Sequence, residues 1–263
     1  MLGLLQSSHP GPAVAVSLVA TLLAVAADQP PGTVALVGTA VASGQLTVGW
    51  GNDLVDVARD RATGRPDKPI ARGLVPARLV AGATGIAAVA CLVLSLALGW
   101  RAALAHLTCL VLAHAYNLGL KTGPWSWLPY AGAFGLLPAV ATAAEPATRW
   151  PAWWAVAAGA ALGVGAHLVN ALPDLADDER TGVRGLPHRL GAARARVAAA
   201  VLLAAASVLA TLGPGDPPAW AFAVLVAVAL LSLVALRGAG RWPFRAAMAV
   251  ALLDVVLLVA SGA

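Results

Sequence analysis

The chain has 263 residues, of which 60% are hydrophobic and only 11% charged, and its mean hydropathy is +0.81. A soluble chain of this length carries roughly twice that charge, so there are too few polar groups to cover a water-facing exterior, and lipid is the expected solvent. The net charge of +5 does not mark a nucleic-acid binder, because the Lys and Arg residues lie between apolar runs, where they orient membrane spans.

About nine apolar runs approach the ~20 residues that a bilayer demands: 11–28, 32–51, 78–99, 101–118, 126–144, 152–172, 193–213, 217–236 and 243–262. The first nine residues lack a basic stretch and the first run continues the multi-span pattern, so no cleavable signal peptide is expected. Basic residues fall between spans 2 and 3 (Arg59, Arg61, Arg65, Lys68, Arg72, Arg78), after span 4 (Lys121), between spans 6 and 7 (Arg180, Arg184, Arg189, Arg194, Arg196) and between spans 8 and 9 (Arg237, Arg241, Arg245). Arg101 and Arg149 alone fall on the other side. The rich side is therefore expected to be cytoplasmic, with the N-terminus inside and the C-terminus outside. The abundance of Ala, Arg and Val resembles a high-GC bacterial coding bias, so a multi-pass protein of a bacterial plasma membrane is expected. All nine Trp residues, Trp50 among them, fall near span ends, where an indole reads as a headgroup anchor. Cys91 and Cys109 lie inside apolar runs and read as small buried hydrophobes.

The chemistry concentrates in two windows. The first reads Gly-Asn-Asp-Leu-Val-Asp-Val-Ala-Arg-Asp from Gly51 to Asp60, and the second Asn-Ala-Leu-Pro-Asp-Leu-Ala-Asp-Asp from Asn170 to Asp178. Both share the frame Asn-x3-Asp-x3-Asp-x3-Gly: Asn52, Asp56, Asp60 and Gly64 recur as Asn170, Asp174, Asp178 and Gly182. Each follows an even-numbered span. That suggests a duplication with a four-helix period, giving two four-helix halves, about 11–118 and 126–236, plus one terminal helix. Residues 1–263 read as one polytopic domain.

On a helix, positions i, i+4 and i+8 share a face, about 6 Å apart along the axis, and Asp53 lies close to that face. Carboxylates this near one another repel unless a cation intervenes, and the negative end of the helix dipole adds to the demand. No His or Cys falls within the frame, and all-oxygen ligands favour Mg²⁺ or Ca²⁺. Mg²⁺ usually combines one or two carboxylates with water and substrate phosphates. Two facing clusters are thus suited to clamp a diphosphate between metal ions, with Arg and Lys on its remaining oxygens.

At these residues the chain resembles the UbiA-type intramembrane prenyltransferases. Their first motif, Asn-Asp-x2-Asp-x3-Asp, is matched by Asn52, Asp53, Asp56 and Asp60. The second, Asp-x3-Asp, is matched by Asp174 and Asp178, with Asp177 between them. Arg65-Pro66-Asp67-Lys68-Pro69-Ile70 and Gly73 are similar to the family's downstream segment, and Tyr116 and Lys121 to its Tyr-x4-Lys element. Where members continue Gly-x-Lys-(Ser/Thr), this chain has Gly182-Val183-Arg184-Gly185, with Arg184 for the Lys and Gly185 for the hydroxyl residue; Leu190-Gly191 follows.

The resemblance implies an all-α integral membrane fold around a central, lipid-accessible cavity, and Mg²⁺-dependent transfer of an allylic prenyl group from a prenyl diphosphate to a small acceptor, expected to be aromatic. Two Mg²⁺ ions would be held by Asn52, Asp53, Asp56, Asp60, Asp174 and Asp178. Asn52, Lys68, Arg72, Tyr116, Asn170 and Arg184 are the expected diphosphate contacts. Asp53, Asp56, Asp60, Asp174, Asp178 and Lys121 are the expected catalytic set. Substrates and lipid are the expected partners, with no nucleic acid and no obligate protein partner.

A UbiA-type terpene cyclase would share every one of these residues and let the prenyl chain attack itself. A cation-coupled transporter is the rival of another class, since intramembrane aspartates carry protons or cations; the clustering of the acids at one membrane edge weighs against it. A CDP-alcohol phosphotransferase lacks support, because its Asp-Gly-x2-Ala-Arg element is absent. Of the histidines, His167 and His114 read as buried or acceptor-facing, His188 as a loop residue near phosphate, and His9 and His106 as structural or incidental. Asp254, the one acid in span 9, is expected to face the protein interior.

Overall fold

The computed structural model describes residues 2–65, 67–215 and 217–261, with the side chains of Leu257, Leu258, Ala260 and Ser261 left aside. Among the described residues there are eleven α-helices and no strand: α1 (Leu2–Ser7), α2 (Pro10–Ala26), α3 (Pro31–Ala62), α4 (Ala77–Ala97), α5 (Trp100–Leu118), α6 (Leu128–Thr142), α7 (Trp153–Ala171), α8 (Leu175–Arg180), α9 (Leu186–Leu212), α10 (Ala219–Arg237) and α11 (Trp242–Ser261). Five segments are long and apolar enough to cross a membrane: α3, α4, α7 with its continuation to Arg180, α9 and α10. α2 and α6 are apolar but shorter. Outward faces carry large apolar side chains, such as Ile86, Val89, Val93 and Leu96 on α4 and Val226 and Leu230 on α10. A surface of this kind suits acyl chains and would aggregate in water.

Consecutive long helices pack as neighbours, and α11 returns against α2, so the sequence of contacts closes on itself. One core joins α2, α3, α5 and α6 through Val37, Val41, Ala102, Leu137 and Val140. A second joins α7, α9, α10 and α11 through Leu168, Val169, Leu203, Val228 and Val250. Alanine is the commonest residue in both, because lipid supplies no water-exclusion force between helices and close van der Waals approach must hold them. At the α6–α7 seam the backbones nearly touch: a Cβ on Gly159 would lie 2.4 Å from the Phe134 carbonyl oxygen, and one on Gly163 2.4 Å from that of Tyr130.

Several boundaries differ from expectation for physical reasons. α3 continues a further eleven residues beyond the expected apolar span, to Ala62, because cations from elsewhere in the fold neutralise the acids of its last turns. α7 stops at Ala171, and a 3-10 turn, Leu172–Asp174, leads into the short α8. Pro173 lacks an N–H and its ring clashes with the preceding turn, so the second acid frame does not ride one continuous helix as the first does. α9 begins seven residues before its expected start and bends at Gly191, whose φ of 74° no helix accommodates. Residues 2–7 form a helix that no sequence signal announced. Trp50, expected at the headgroup level, is buried, and its indole N–H donates to the Leu4 carbonyl at 2.9 Å. Asp254 is buried and accepts a hydrogen bond from Ser207 of α9 at 3.0 Å. Cys91 and Cys109 are free and buried.

The α6–α7 contact yields a test. Gly159→Ala forces a methyl into the Phe134 carbonyl and should cost about 1–3 kcal/mol, the usual toll of overpacking. Gly82→Ala on α4, where nothing lies within 4 Å of the added carbon, should be neutral or slightly stabilising, by up to about 1 kcal/mol. Thermal unfolding of the two variants in detergent distinguishes a seam set by backbone contact from one that merely contains glycine.

Candidate functional site

The last turns of α3 carry Asn52, Asp53, Asp56 and Asp60, and all three aspartates are buried. At 100° per residue, Asp53 and Asp60 fall within about 20° of each other around the helix, while Asp56 is turned away by about 40–60°. The partners follow this division. Asp53 Oδ1 accepts from His9 Nε2 at 2.8 Å and from Lys68 Nζ at 2.7 Å. Lys68 Nζ also lies 3.9 Å from Asp60 Oδ2 and donates to Asn52 Oδ1 at 3.2 Å. Asp56 instead faces Lys121, whose Nζ is 2.5 Å from Oδ1, and Arg59, whose guanidinium donates to Oδ2 at 2.8 Å. The Asn52 amide donates to Asp56 Oδ2 at 3.2 Å and to Asn117 Oδ1 at 3.3 Å. Asn117 in turn donates to the Val48 carbonyl at 3.1 Å, tying α5 to α3.

The chain doubles back after α3 through Gly64, at φ +64°, a left-handed cap that glycine adopts without strain. This return places Lys68, itself buried, against the acid face. Arg65 is the bridge between the two frames: it pairs with Asp67 at 3.0 Å in its own loop and with Asp174 beyond α7 at 3.2 Å. The Arg65 guanidinium holds Asp67 down at about 2, with burial opposing, and Asp67 raises Arg65 in return. Asp67 also receives Arg241 from the α10–α11 connection at 3.3 Å. Pro66, inside this segment, lies outside the described residues.

The second frame reaches the same end of the bundle in a looser form. Asp174 is partly exposed, and Asp178 lies 3.7 Å from His188 Nε2. Arg59 and Arg65 are both within electrostatic reach of Asp178, and both Asp56 and Asp178 are within reach of Tyr116. Asn170 does not join the acids; it is exposed and hydrogen-bonds the Tyr130 hydroxyl. Tyr116 packs edge-to-face on both Tyr130 and His167, which are tilted against each other, with ring centroids 4.8–5.6 Å apart. His167 is buried and hydrogen-bonds Ser126 Oγ at 3.0 Å. Gly182, the last position of the frame, has φ +82°, matching Gly64 in the first. Gly185 sits so close to the 121–126 segment that a Cβ would lie 2.7 Å from the Lys121 carbonyl. The hydroxyl residue that family members carry there would not fit.

The arrangement sorts the expected residues. Asn52, Asp53, Asp56, Asp60, Lys68, Lys121, Asp174 and Asp178 come together, with Tyr116 alongside. Arg72 lines a cavity of about 380 Å³ with Asp60, Arg61, Gly64, Arg65 and Ala71. Arg184 is exposed and makes no ion pair with a described carboxylate. The sequence reading missed His9 and the bridging parts of Arg59 and Asn117, and it gave Arg65 no role. Arg59 carried a signal, its i+3 spacing from Asp56, but His9 carried none.

Burial pulls the Lys121 ammonium below its ordinary pKa, against the pull of Asp56. Among the described residues no three His, Cys, Asp or Glu side chains gather closely enough to hold a metal ion alone. The donors on offer are nonetheless all oxygen, and Asp53 Oδ2 is buried without a partner. Such a set suits a hard cation that takes one or two carboxylates and completes its shell with water and phosphate.

An apolar helical bundle with five helices long and apolar enough to cross a membrane is the architecture of an integral membrane protein. The UbiA prenyltransferase family matches residues 13–259, and the chain belongs to that family. Solved structures with the same fold include a UbiA homologue from Aeropyrum pernix K1, 20% identical over 95% of this chain and 98% of that one, with a TM-score of 0.78. A UbiA homologue from Archaeoglobus fulgidus bound to GPP and Mg²⁺ is 15% identical over 98% of each chain, with a TM-score of 0.73. A digeranylgeranylglyceryl phosphate synthase is 17% identical over 99% of this chain and 97% of that one, with a TM-score of 0.68. At such identities the likeness is one of fold. No curated protein matches the chain.

Lys68 provides the test of this electrostatic design. Removing one partner from a buried ion pair strands the other and costs about 3–5 kcal/mol. Lys68→Met should therefore lower folding stability by that amount. Adding Asp53→Asn in the same chain should recover part of the loss, read as the thermal midpoint in detergent.

Proposed function

We propose that this protein is a Mg²⁺-dependent prenyltransferase that moves an allylic prenyl group from a prenyl diphosphate to a small, aromatic acceptor. The observation that carries the reading is the meeting of two acid frames, 114 residues apart in sequence from Asp60 to Asp174, through Arg65 at one end of an apolar bundle. The binding of GPP and Mg²⁺ by the Archaeoglobus fulgidus homologue supports it.

Asn52, Asp53, Asp56 and Asp60 from α3, with Asp174 and Asp178 from the second frame, are the residues that would hold two metal ions. Mg²⁺ supplies charge neutralisation to the diphosphate and to the departing pyrophosphate. Lys68 and Lys121 stand beside the acids, where their ammonium groups can turn from carboxylate to phosphate oxygens. Arg65 and Arg72 line the adjoining cavity as further oxyanion contacts, and Arg184 is a contact only if its loop turns inward. Asn170 acts through Tyr130 in this reading. The Tyr116, Tyr130 and His167 cluster bounds the pocket on its apolar side, where dry walls keep water from quenching an electron-poor allylic carbon. The isoprenoid tail lies along the alanine-rich helices in a central cavity open to lipid.

Among the described residues, α2 to α7 and α9 to α11 are read as nine crossings, in two halves of four plus α11, with the acid frames on the cytoplasmic face. The excess of Lys and Arg at the frame end supports that orientation.

Purified protein, Mg²⁺ and a prenyl diphosphate should give no product until an aromatic acceptor is added, and chelation of Mg²⁺ should abolish turnover. Cyclised product without an acceptor would reassign the chain as a terpene cyclase. Cation-driven flux without any product would reassign it as a transporter. Asp56→Asn and Asp174→Ala should each lower kcat by at least about a hundredfold, the usual scale for loss of one transition-state charge contact, with the folded protein retained on size-exclusion chromatography. Full activity in either variant contradicts the assignment.

A further inference from the structure

His9 lies outside both acid frames, yet it makes one of the shortest contacts in the site. Its Nε2 is 2.8 Å from Asp53 Oδ1, across 44 residues of sequence. Lys68 Nζ holds the same oxygen at 2.7 Å. Asp53 Oδ1 is thus occupied by two donors, while Asp53 Oδ2 is buried and has no partner. The carboxylate is held by one oxygen and presents the other.

Three independent features of the N-terminal segment bring His9 there. Its backbone adopts the left-handed region, φ 52° and ψ 61°, which turns the chain between α1 and α2 and which histidine enters more readily than most side-chain-bearing residues. The Ser8 carbonyl rests directly on α3 at Gly49, where a Cβ would come within 2.3 Å of its oxygen. Gly49 lies one helical turn before Asp53, so this approach sets the height at which the imidazole arrives. One residue further along, the buried Trp50 indole donates to the Leu4 carbonyl at 2.9 Å and clamps α1 against α3. The turn, the glycine contact and the indole clamp together fix where the imidazole meets the acid face.

We propose that His9 is a positioning residue: it fixes the Asp53 carboxylate so that Oδ2 is delivered as a single-oxygen ligand to the divalent metal. The inference rests on the reading of Asp53 as a metal ligand. Groups hydrogen-bonded behind a ligand set its orientation, and their removal typically weakens metal binding by about 10–100-fold. His9 Nε2 also lies 3.4 Å from Lys68 Nζ, and its effect on the metal passes through the Asp53 carboxylate that both hold.

The test uses the full chain in detergent, with Mn²⁺ as the probe and electron paramagnetic resonance reporting bound ion, in the absence of any prenyl diphosphate. Asn tolerates the left-handed backbone but is too short to reach Asp53. Gln places an amide nitrogen near the position of Nε2. His9→Asn should raise the Mn²⁺ dissociation constant about tenfold or more, with the thermal midpoint unchanged within a few degrees. His9→Gln should stay within about threefold of wild type. In turnover assays His9→Asn should raise the Mg²⁺ concentration for half-activity and regain most of kcat at saturating Mg²⁺. Wild-type Mn²⁺ affinity in His9→Asn, equal weakness in His9→Gln, or collapse of the His9→Asn thermal midpoint overturns the proposal. A wild-type chain that binds no Mn²⁺ at all defeats the prenyltransferase reading itself, an outcome separate from these.

Discussion

Buried carboxylates at the end of a membrane helix need positive charge within a few ångströms, and most of the cytoplasmic-end architecture proposed here follows from that need. Asp53, Asp56 and Asp60 sit where the α3 dipole is negative, next to apolar helices that screen poorly. The cost of leaving them ionised and alone is several kcal/mol apiece. Lys68 comes from the returning loop, Lys121 from the turn after α5, Arg59 from α3 itself and His9 from the N-terminal turn. Lys68, Lys121 and His9 each bring a segment from outside α3 onto it. The acids therefore act as an assembly point for three stretches of chain, two of which also pack on α3 through Leu4, Ile70 and Val75.

The two frames solve the same problem with different stiffness. The first rides a continuous helix, its carboxylates buried, with Asp53 and Asp56 hydrogen-bonded to named donors and Asp60 in ion-pair reach of Lys68. The second is broken by Pro173 into a 3-10 turn and the six-residue α8, and its acids Asp174 and Asp178 are partly exposed. Under the proposed function, a prenyl diphosphate entering between them would meet one set of oxygens whose positions are fixed by helix geometry. It would meet another whose positions depend on Arg65 and His188. Such an asymmetry suits a site that must grip a diphosphate and later let pyrophosphate leave, because only one jaw has to move.

Much of this was legible in the sequence. The acid frames stood out because charge is rare in this chain, so a repeated Asn-x3-Asp-x3-Asp-x3-Gly could not hide in a polar background. Both frame glycines take positive φ, as their place at helix ends required. What escaped was long-range or irregular. Periodicity cannot say where a loop returns, so the meeting of Arg65 with Asp174 was invisible, and so was that of His9 with Asp53. The six residues of α1 complete fewer than two turns, too short for a helical pattern to register and too short to be stable alone; packing of Leu4 beside Trp50 makes the helix. The same contact explains why the Trp50 indole is buried against α1.

Glycine determines how finely the site is assembled. In lipid, helix pairs gain little from excluding water, so the distance of closest backbone approach decides which helices stay together. Gly159 and Gly163 set that distance between α6 and α7, which carry Tyr130 and His167. Gly49 sets it between the N-terminal turn and α3, and Gly185 between the loop after α8 and the turn bearing Lys121. The last two lie within about a turn of Asp53 and Lys121, and the first pair packs the helices whose Tyr130 and His167 contact Tyr116. The departure from the family pattern at Gly185 is therefore better understood as an exchange than as a loss. A hydroxyl at that position would add one hydrogen-bonding group, yet it would push the loop away from the Lys121 carbonyl. That displacement would loosen the lysine that neutralises Asp56, and with it the charge balance on which the first frame stands.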